Sequence, residues 1–290
     1  MTAVVWHAGS IVKWGDPLIP PLSHGYLVGD GVYETISVRH REPFAVTRHL
    51  LRLHDALERT GLGRLDEDAV RAGIAAVLAE GEGRIARLRV TVTSGLGVLG
   101  LQRTAGPLTV TVAGSEGARL PTCSAIRVPW RRNEYSPLVG VKTTSSGENA
   151  LMYAYATSRG ADEAILGNSQ GDVCEAISAN VFVELGGEIL TPALASGCLP
   201  GVARGLAIEW GTAAGLPVRL AREGELPYLP TVDRVAARAA AMAITSSTRG
   251  VQQVTIFDGV DVAPGALLGK LKVLWEERAD ADPDPAPAPV

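Results

Sequence analysis

The sequence predicts a mixed α/β protein of two domains. Strand-type and helix-type hydrophobic periods alternate along roughly the first hundred residues and resume beyond residue 124. Between them, residues 114–123 lose periodicity around Gly117 and Pro121, as a linker does. A length of 290 residues gives room for one large core or two modest ones. The expected division is a first domain over 1–116, a linker over 117–123, a second domain over 124–278 and a disordered tail over 279–290.

In chain order, 35–38 and 43–46 are short β-type runs around the polar turn His40-Arg41-Glu42, which predicts a hairpin. From Arg48 the period changes: Leu50, Leu53 and Leu57 share one face, Arg48, Arg52 and Arg59 another, and Gly61 stops the helix. A second helix is expected over 66–80, with Val70, Ile74, Val77 and Leu78 inward. Leu88, Val90 and Val92 alternate with Arg87, Arg89 and Thr91, and Leu108, Val110 and Val112 repeat the pattern, giving two strands. A strand over 125–128, another ending at Lys142, and a helix over 146–159 follow. Ser145 with Glu148 three residues on has capping-box form. A β-rich stretch over 162–190, a helix over 202–214 stopped by Gly215, strands near Val218 and over 241–245, and a helix over 267–278 complete the chain. The tail is Pro, Ala and Asp with a terminal Val, which predicts disorder.

Composition narrows the function. Apolar residues at 46% and charged residues at 20% are those of a globular protein, and a net charge of −4 argues against a nucleic-acid binder. No apolar run reaches membrane-spanning length, and the first residues lack the pattern of a signal peptide. Three scattered cysteines form neither a disulfide framework nor a zinc cage, and the five histidines show no metal-ligand spacing. These features predict a reduced, cytoplasmic enzyme without a metal. Gly95-Leu96-Gly97-Val98-Leu99-Gly100 matches a dinucleotide-binding fingerprint, but a second strand follows instead of the required helix, so the segment is read as a hairpin loop.

Four features carry possible chemistry. Lys142 ends an apolar run and precedes a helix, where a desolvated lysine can form a Schiff base; a surface lysine at a strand end has the same local sequence. Glu175 lies thirty-three residues on among apolar and small neighbours, so it is either a strand-end carboxylate facing water or one that holds a cationic or proton-donating partner. Gly197-Cys198-Leu199-Pro200-Gly201-Val202 opens a helix whose backbone N–H groups suit a phosphate, and Ser246-Ser247-Thr248 offers hydroxyls at another turn. Arg52 can add charge-assisted bonds to an anion. Cys174 reads as a small buried side chain in preference to a nucleophile.

Taken in register, these segments resemble the class IV (fold type IV) pyridoxal-phosphate enzymes, the group that includes branched-chain and D-amino-acid aminotransferases and aminodeoxychorismate lyase. The resemblance runs from Gly25-Tyr26-Leu27-Val28-Gly29-Asp30-Gly31-Val32-Tyr33-Glu34-Thr35 through His49-Leu50-Leu51-Arg52-Leu53, Lys142, Gly171-Asp172-Val173-Cys174-Glu175-Ala176 and Leu199-Pro200-Gly201-Val202-Ala203-Arg204 to Thr245-Ser246-Ser247-Thr248. It implies a small α/β sandwich domain, a larger pseudo-barrel domain and a homodimer that holds pyridoxal 5'-phosphate. It further implies that Lys142 forms the imine with the cofactor and that Glu175 pairs with the pyridine nitrogen. Arg52, the backbone at Val202 and Ala203, and Ser247 or Thr248 would hold the phosphate, Leu199 would pack on the ring, and Tyr33 would line the substrate side. Ala203 stands where the family often has threonine. The implied activity is transamination between an amino acid and a 2-oxo acid. The alternatives are an aminodeoxychorismate lyase releasing 4-aminobenzoate and pyruvate, or a member that has lost activity and acts as a binding protein.

Overall fold

The computed structural model describes residues 3–13, 15–16, 19–117 and 120–287. They divide into two units, each with its own sheet and core. The first takes in the described residues up to 117, Val141–Ser146 and residues 282–287. The second takes in 120–140 and Gly147–Ala281.

The first unit contains β1 (Ala3–His7), β2 (Ser10–Val12), the short α1 (His24–Leu27), β3 (Gly31–Arg39), β4 (Glu42–Pro43), α2 (Val46–Thr60), α3 (Glu67–Glu80), β5 (Arg87–Thr93) and β6 (Thr109–Ser115). Its antiparallel sheet has the order β2-β1-β6-β5-β3-β4. Strands β5 and β6 pair with each other, so the glycine-rich segment between them is a hairpin loop, as the missing helix required. The amphipathic faces of α2 and α3 close over the sheet: Leu50, Leu53, Leu57, Val70, Ile74 and Val77 pack with Val32, Ile36, Leu88, Val90 and Val112. Asp66 caps α3 by accepting from Ala69 N–H at 3.0 Å.

The second unit contains β7 (Cys123–Arg132), α4 (Gly147–Thr157), β8 (Glu163–Asn168), β9 (Val173–Ala176), β10 (Asn180–Leu185), β11 (Glu188–Thr191), α5 (Val202–Ala213), β12 (Val218–Leu220), α6 (Tyr228–Ala236), β13 (Ala241–Ser246), β14 (Gly250–Phe257), β15 (Val260–Asp261) and α7 (Ala266–Ala281). Its mixed sheet runs β12-β11-β10-β13-β14-β7-β8-β9, with β15 on β14. The sheet curls, so that β9 returns beside β10. Val181, Val183, Ile244, Met242, Val254, Phe257 and Tyr228 fill the core.

Several expectations need correction. No strand ends at Lys142: Pro137 and Gly140, the latter at φ 72°, put turns where 138–141 looked apolar and extended. Ser145 does not cap α4; its hydroxyl bonds the Val28 and Gly29 carbonyls, both at 3.3 Å, and Glu148 is largely exposed. The segment carrying Lys142 groups with the first unit and not with the second, because Thr143 and Thr144 bond the start of β3. The linker expectation falls partly on 118 and 119, outside the described residues, and Cys123 already belongs to β7. The tail is ordered as far as it is described. Helix α7 continues to Ala281, because Ala279 is buried, and residues 283–286 bond the start of α2. Residues 288–290 lie outside the described residues.

Candidate active site

In the first unit the site is built on the start of β3. Tyr33 N–H donates to the Lys142 carbonyl at 2.9 Å and Thr144 N–H to the Gly31 carbonyl at 2.9 Å. The Thr143 and Thr144 hydroxyls add bonds to the Gly31 and Gly29 carbonyls at 3.0 and 2.7 Å. Lys142 is therefore fixed by its backbone on the open edge of β3, half-buried, with Nζ 4.5 Å from the centre of the Tyr33 ring. Arg89 reaches the same ring, its Cζ 3.6 Å from the centre. Strand register explains this: Arg89 faces Thr35 across the β3–β5 ladder, one diagonal step from Tyr33 on the same face. Burial opposes ionisation of the Tyr33 phenol, but the Lys142 and Arg89 charges beside it prevail and hold it below its ordinary value.

Behind this group lies a buried ionic cluster. The neighbouring residue on β3, Glu34, points to the opposite face, is 1% exposed, and accepts from Arg52 Nε at 2.7 Å and Nη2 at 2.6 Å and from His49 Nδ1 at 2.7 Å. His49 and Arg52 stand three residues apart on one face of α2. Burial works against the Glu34 charge, yet Arg52 and His49 outweigh it and bring its carboxyl down to about 2. Burial pushes His49 below its ordinary value, against the pull of Glu34.

In the second unit Glu175, on β9, accepts from Leu199 N–H at 2.9 Å, and its other oxygen lies 3.3 Å from Arg132 Nε. The Arg132 Nε is buried without a hydrogen-bond partner. Asn180 Nδ2 donates to the Leu199 carbonyl at 2.8 Å. Leu199 leads through Pro200 into α5, whose N-cap Gly201 offers no side-chain cap, so the N–H groups at Val202 and Ala203 carry the helix's open positive end. Ser247 and Thr248 sit in the half-buried turn between β13 and β14. The two units thus share the expected residues. The first brings together Lys142 and Tyr33 and holds Arg52 on Glu34. The second brings Glu175 to Leu199, at the entry to Val202 and Ala203.

Residues 31–257 match the family model for amino-transferase class IV. The chain belongs to the class IV aminotransferases. A putative branched-chain-amino-acid aminotransferase of Methanocaldococcus jannaschii is 29% identical over 72% of this chain and 75% of its own length. An aminodeoxychorismate lyase of Bacillus subtilis is 28% identical over 79% of this chain and 80% of its own. Among solved structures, a branched-chain aminotransferase of Thermoproteus uzoniensis superposes with a TM-score of 0.82 at 23% identity, covering 94% of this chain and 93% of that one. The pyridoxal-phosphate-bound form of a hypothetical aminotransferase from Mycobacterium tuberculosis does so with a TM-score of 0.80 at 22% identity, covering 95% and 98%. At these identities the likeness to the solved structures is one of fold.

Sequence reasoning gave no role to Glu34, His49, Arg89, Arg132 and Asn180, although Glu34, His49 and Asn180 stand in the segments that carry the family resemblance. Glu34 was the most accessible of them: a glutamate alternating with apolar residues on the buried face of a strand needs cations, and the helix that follows supplies two. Among the described residues no group of His, Cys, Asp and Glu forms a metal cluster, and no helix is long and apolar enough to cross a membrane. Cys174 is buried, and burial drives its thiol well above the ordinary value, which suits packing and not nucleophilic attack.

Proposed function

We propose that this class IV aminotransferase binds pyridoxal 5'-phosphate through Lys142 and exchanges the amino group of an amino acid with a 2-oxo acid. The observation that carries the proposal is that Lys142 is the only lysine between residues 31 and 257; Lys13, Lys270 and Lys272 lie outside the family match. An enzyme of this class that anchors its cofactor through an amine within that span has one residue to use.

The residues of each unit fit such a group. The second unit offers a fixed carboxylate, a buried arginine nitrogen without a hydrogen-bond partner and an uncapped helix start; the first offers a half-buried amine beside an aromatic ring. When bound, the cofactor supplies an aldehyde that condenses with amines and a ring that withdraws electrons from the adjacent carbon. Lys142 Nζ would be the amine that holds that aldehyde carbon, and would take up and return the proton at the substrate Cα. Glu175, held by Leu199 N–H, would pair with the ring nitrogen and favour its protonated form. Arg52, the N–H groups of Val202 and Ala203, and the hydroxyls of Ser247 and Thr248 would hold the phosphate. Leu199 would pack on the ring and Tyr33 would bound the substrate side. The functional unit in this proposal is a homodimer.

Borohydride reduction of the protein with pyridoxal 5'-phosphate, followed by peptide mass spectrometry, tests the anchor: the adduct is expected on Lys142 and lost in Lys142→Ala. An adduct that persists on another lysine refutes it. The near-equal identity to the Bacillus subtilis lyase supports a second reading, elimination from aminodeoxychorismate. Pyruvate formed without an added 2-oxo acid would establish that activity; conversion of bound cofactor to its pyridoxamine form by an amino donor supports transamination.

A further inference from the structure

In the second unit one residue, Leu199, is held by side chains through the peptide group on each side of it. Glu175 accepts the Leu199 N–H, and Asn180 Nδ2 donates to the Leu199 carbonyl. The N–H belongs to the peptide before Leu199 and the carbonyl to the peptide after it, so holding both fixes the backbone angles of Leu199 and with them the direction of its side chain. Asn180 suits this task because it is 4% exposed and its backbone is set by pairing with Thr245 on β13. Its other amide atom, Oδ1, lies 2.0 Å from where a Cβ on Gly201 would stand. Gly201 has ordinary extended geometry, φ −65° and ψ 132°, so the close approach of Asn180, and not the backbone conformation, is what requires glycine there. Asn180 therefore touches both the peptide before α5 and the residue that begins it.

We infer that Asn180 is a positioning residue for the cofactor: acting through the Leu199 carbonyl and against Gly201, it sets the Leu199 side chain and the open first turn of α5 in register with Glu175. The inference rests on the proposed cofactor reading. Phosphate recognition by backbone N–H groups depends on their direction to within a fraction of an ångström, so loosening the Leu199 peptide is felt at Val202 and Ala203.

The test compares wild type, Asn180→Ala, Gly201→Ala and the double variant as apoproteins. Each is titrated with pyridoxal 5'-phosphate and with inorganic phosphate, and the thermal midpoint without ligand is followed alongside. Asn180→Ala is expected to weaken the cofactor by about tenfold, the effect of one lost buried hydrogen bond, and to weaken inorganic phosphate in parallel. Gly201→Ala also weakens both. The double variant loses less than the product of the two single effects, because removing the amide makes room for the new methyl. An Asn180→Ala protein that binds the cofactor as tightly as wild type overturns the inference, and so does a double variant that loses the full product. If Asn180→Ala does not fold, Asn180→Thr, a good strand former lacking the amide, is read in the same way. Failure of the proposed function itself is a different result: wild type would then give no adduct on Lys142, and the inference would fall with it.

Discussion

Replacing Glu34 by glutamine isolates the contribution of the buried cluster on β3. The carboxylate is fully enclosed, accepts two bonds from Arg52 and one from His49, and has a pKa near 2 in place of the ordinary 4.5. A carboxyl that is more acidic folded than unfolded binds fewer protons in the native state between those values. Stability from this group is therefore fully present above about pH 4.5 and is lost as pH falls toward about 2. Converted through the free energy of a pKa difference, the charge is worth about 3 kcal/mol at neutral pH. Glutamine keeps the shape but leaves the Arg52 guanidinium without its counter-ion, so the loss at neutral pH is on the order of 3–5 kcal/mol. Urea unfolding of wild type and Glu34→Gln, repeated at steps of decreasing pH, should show a gap that is constant above about pH 4.5 and narrows below it. A gap that stays the same down to the acid limit would refute the assignment of this charge to the native state.

Arg89→Met should raise the Tyr33 phenol toward its ordinary value, since one of the two cations that offset its burial is gone. An ultraviolet difference titration, with Tyr33→Phe to identify the signal, should show the band moving to more alkaline pH. At the other end of the chain, Asp284 accepts from Thr47 N–H at 2.9 Å and Thr47 Oγ1 at 2.7 Å, serving as a cap for α2, whose own N-cap, Ala45, has none to offer. Asp284→Ala should cost about 1 kcal/mol in urea unfolding. Deletion of everything after Ala281 should cost at least as much, whereas an unchanged midpoint would mean that the tail does not hold the helix.

The elements of the first unit were legible because each carries a complete local signal. Helix α2 shows its apolar stripe and ends at Gly61, α3 begins at Asp66, and β5 and β6 alternate cleanly because one face of each meets the helices. Strands β1 and β14 and helix α6 gave less away. Trp6 is the one buried side chain of β1, so its alternation is weak. Helix α6 follows Pro227 and contains Pro230 in its first turn, where proline is tolerated but reads as a breaker. Strand β14 carries Gln252 and Gln253 on a central position of the sheet; Gln252 is buried and answers the Leu120 and Thr122 carbonyls, a pairing that only the folded chain provides.

The chemistry was legible where a residue's role is set by its neighbours in sequence, and hidden where it is set across strands. Glu175 and Leu199 could be singled out because each sits in a short distinctive segment, but that they bond each other depends on β9 lying beside the loop before α5. The tail misled for the same reason. Its composition offers no core, and composition is all the sequence reveals, yet a single carboxylate at Asp284 and the carbonyls of Pro283, Pro285 and Ala286 find donors at the start of α2 that nothing local could satisfy. Order in that segment comes from the acceptors it offers to the Ala45 and Thr47 N–H groups and to the Arg48 guanidinium, and not from any propensity of the tail. The same logic explains Ser145, which has the right spacing for a helix cap but is drawn to the Val28 and Gly29 carbonyls by the Thr143 and Thr144 bonds to β3. What fixes the backbone of Lys142 is thus the edge of a strand more than a hundred residues earlier in the chain, and the helix that follows it is free to begin without a cap from Ser145.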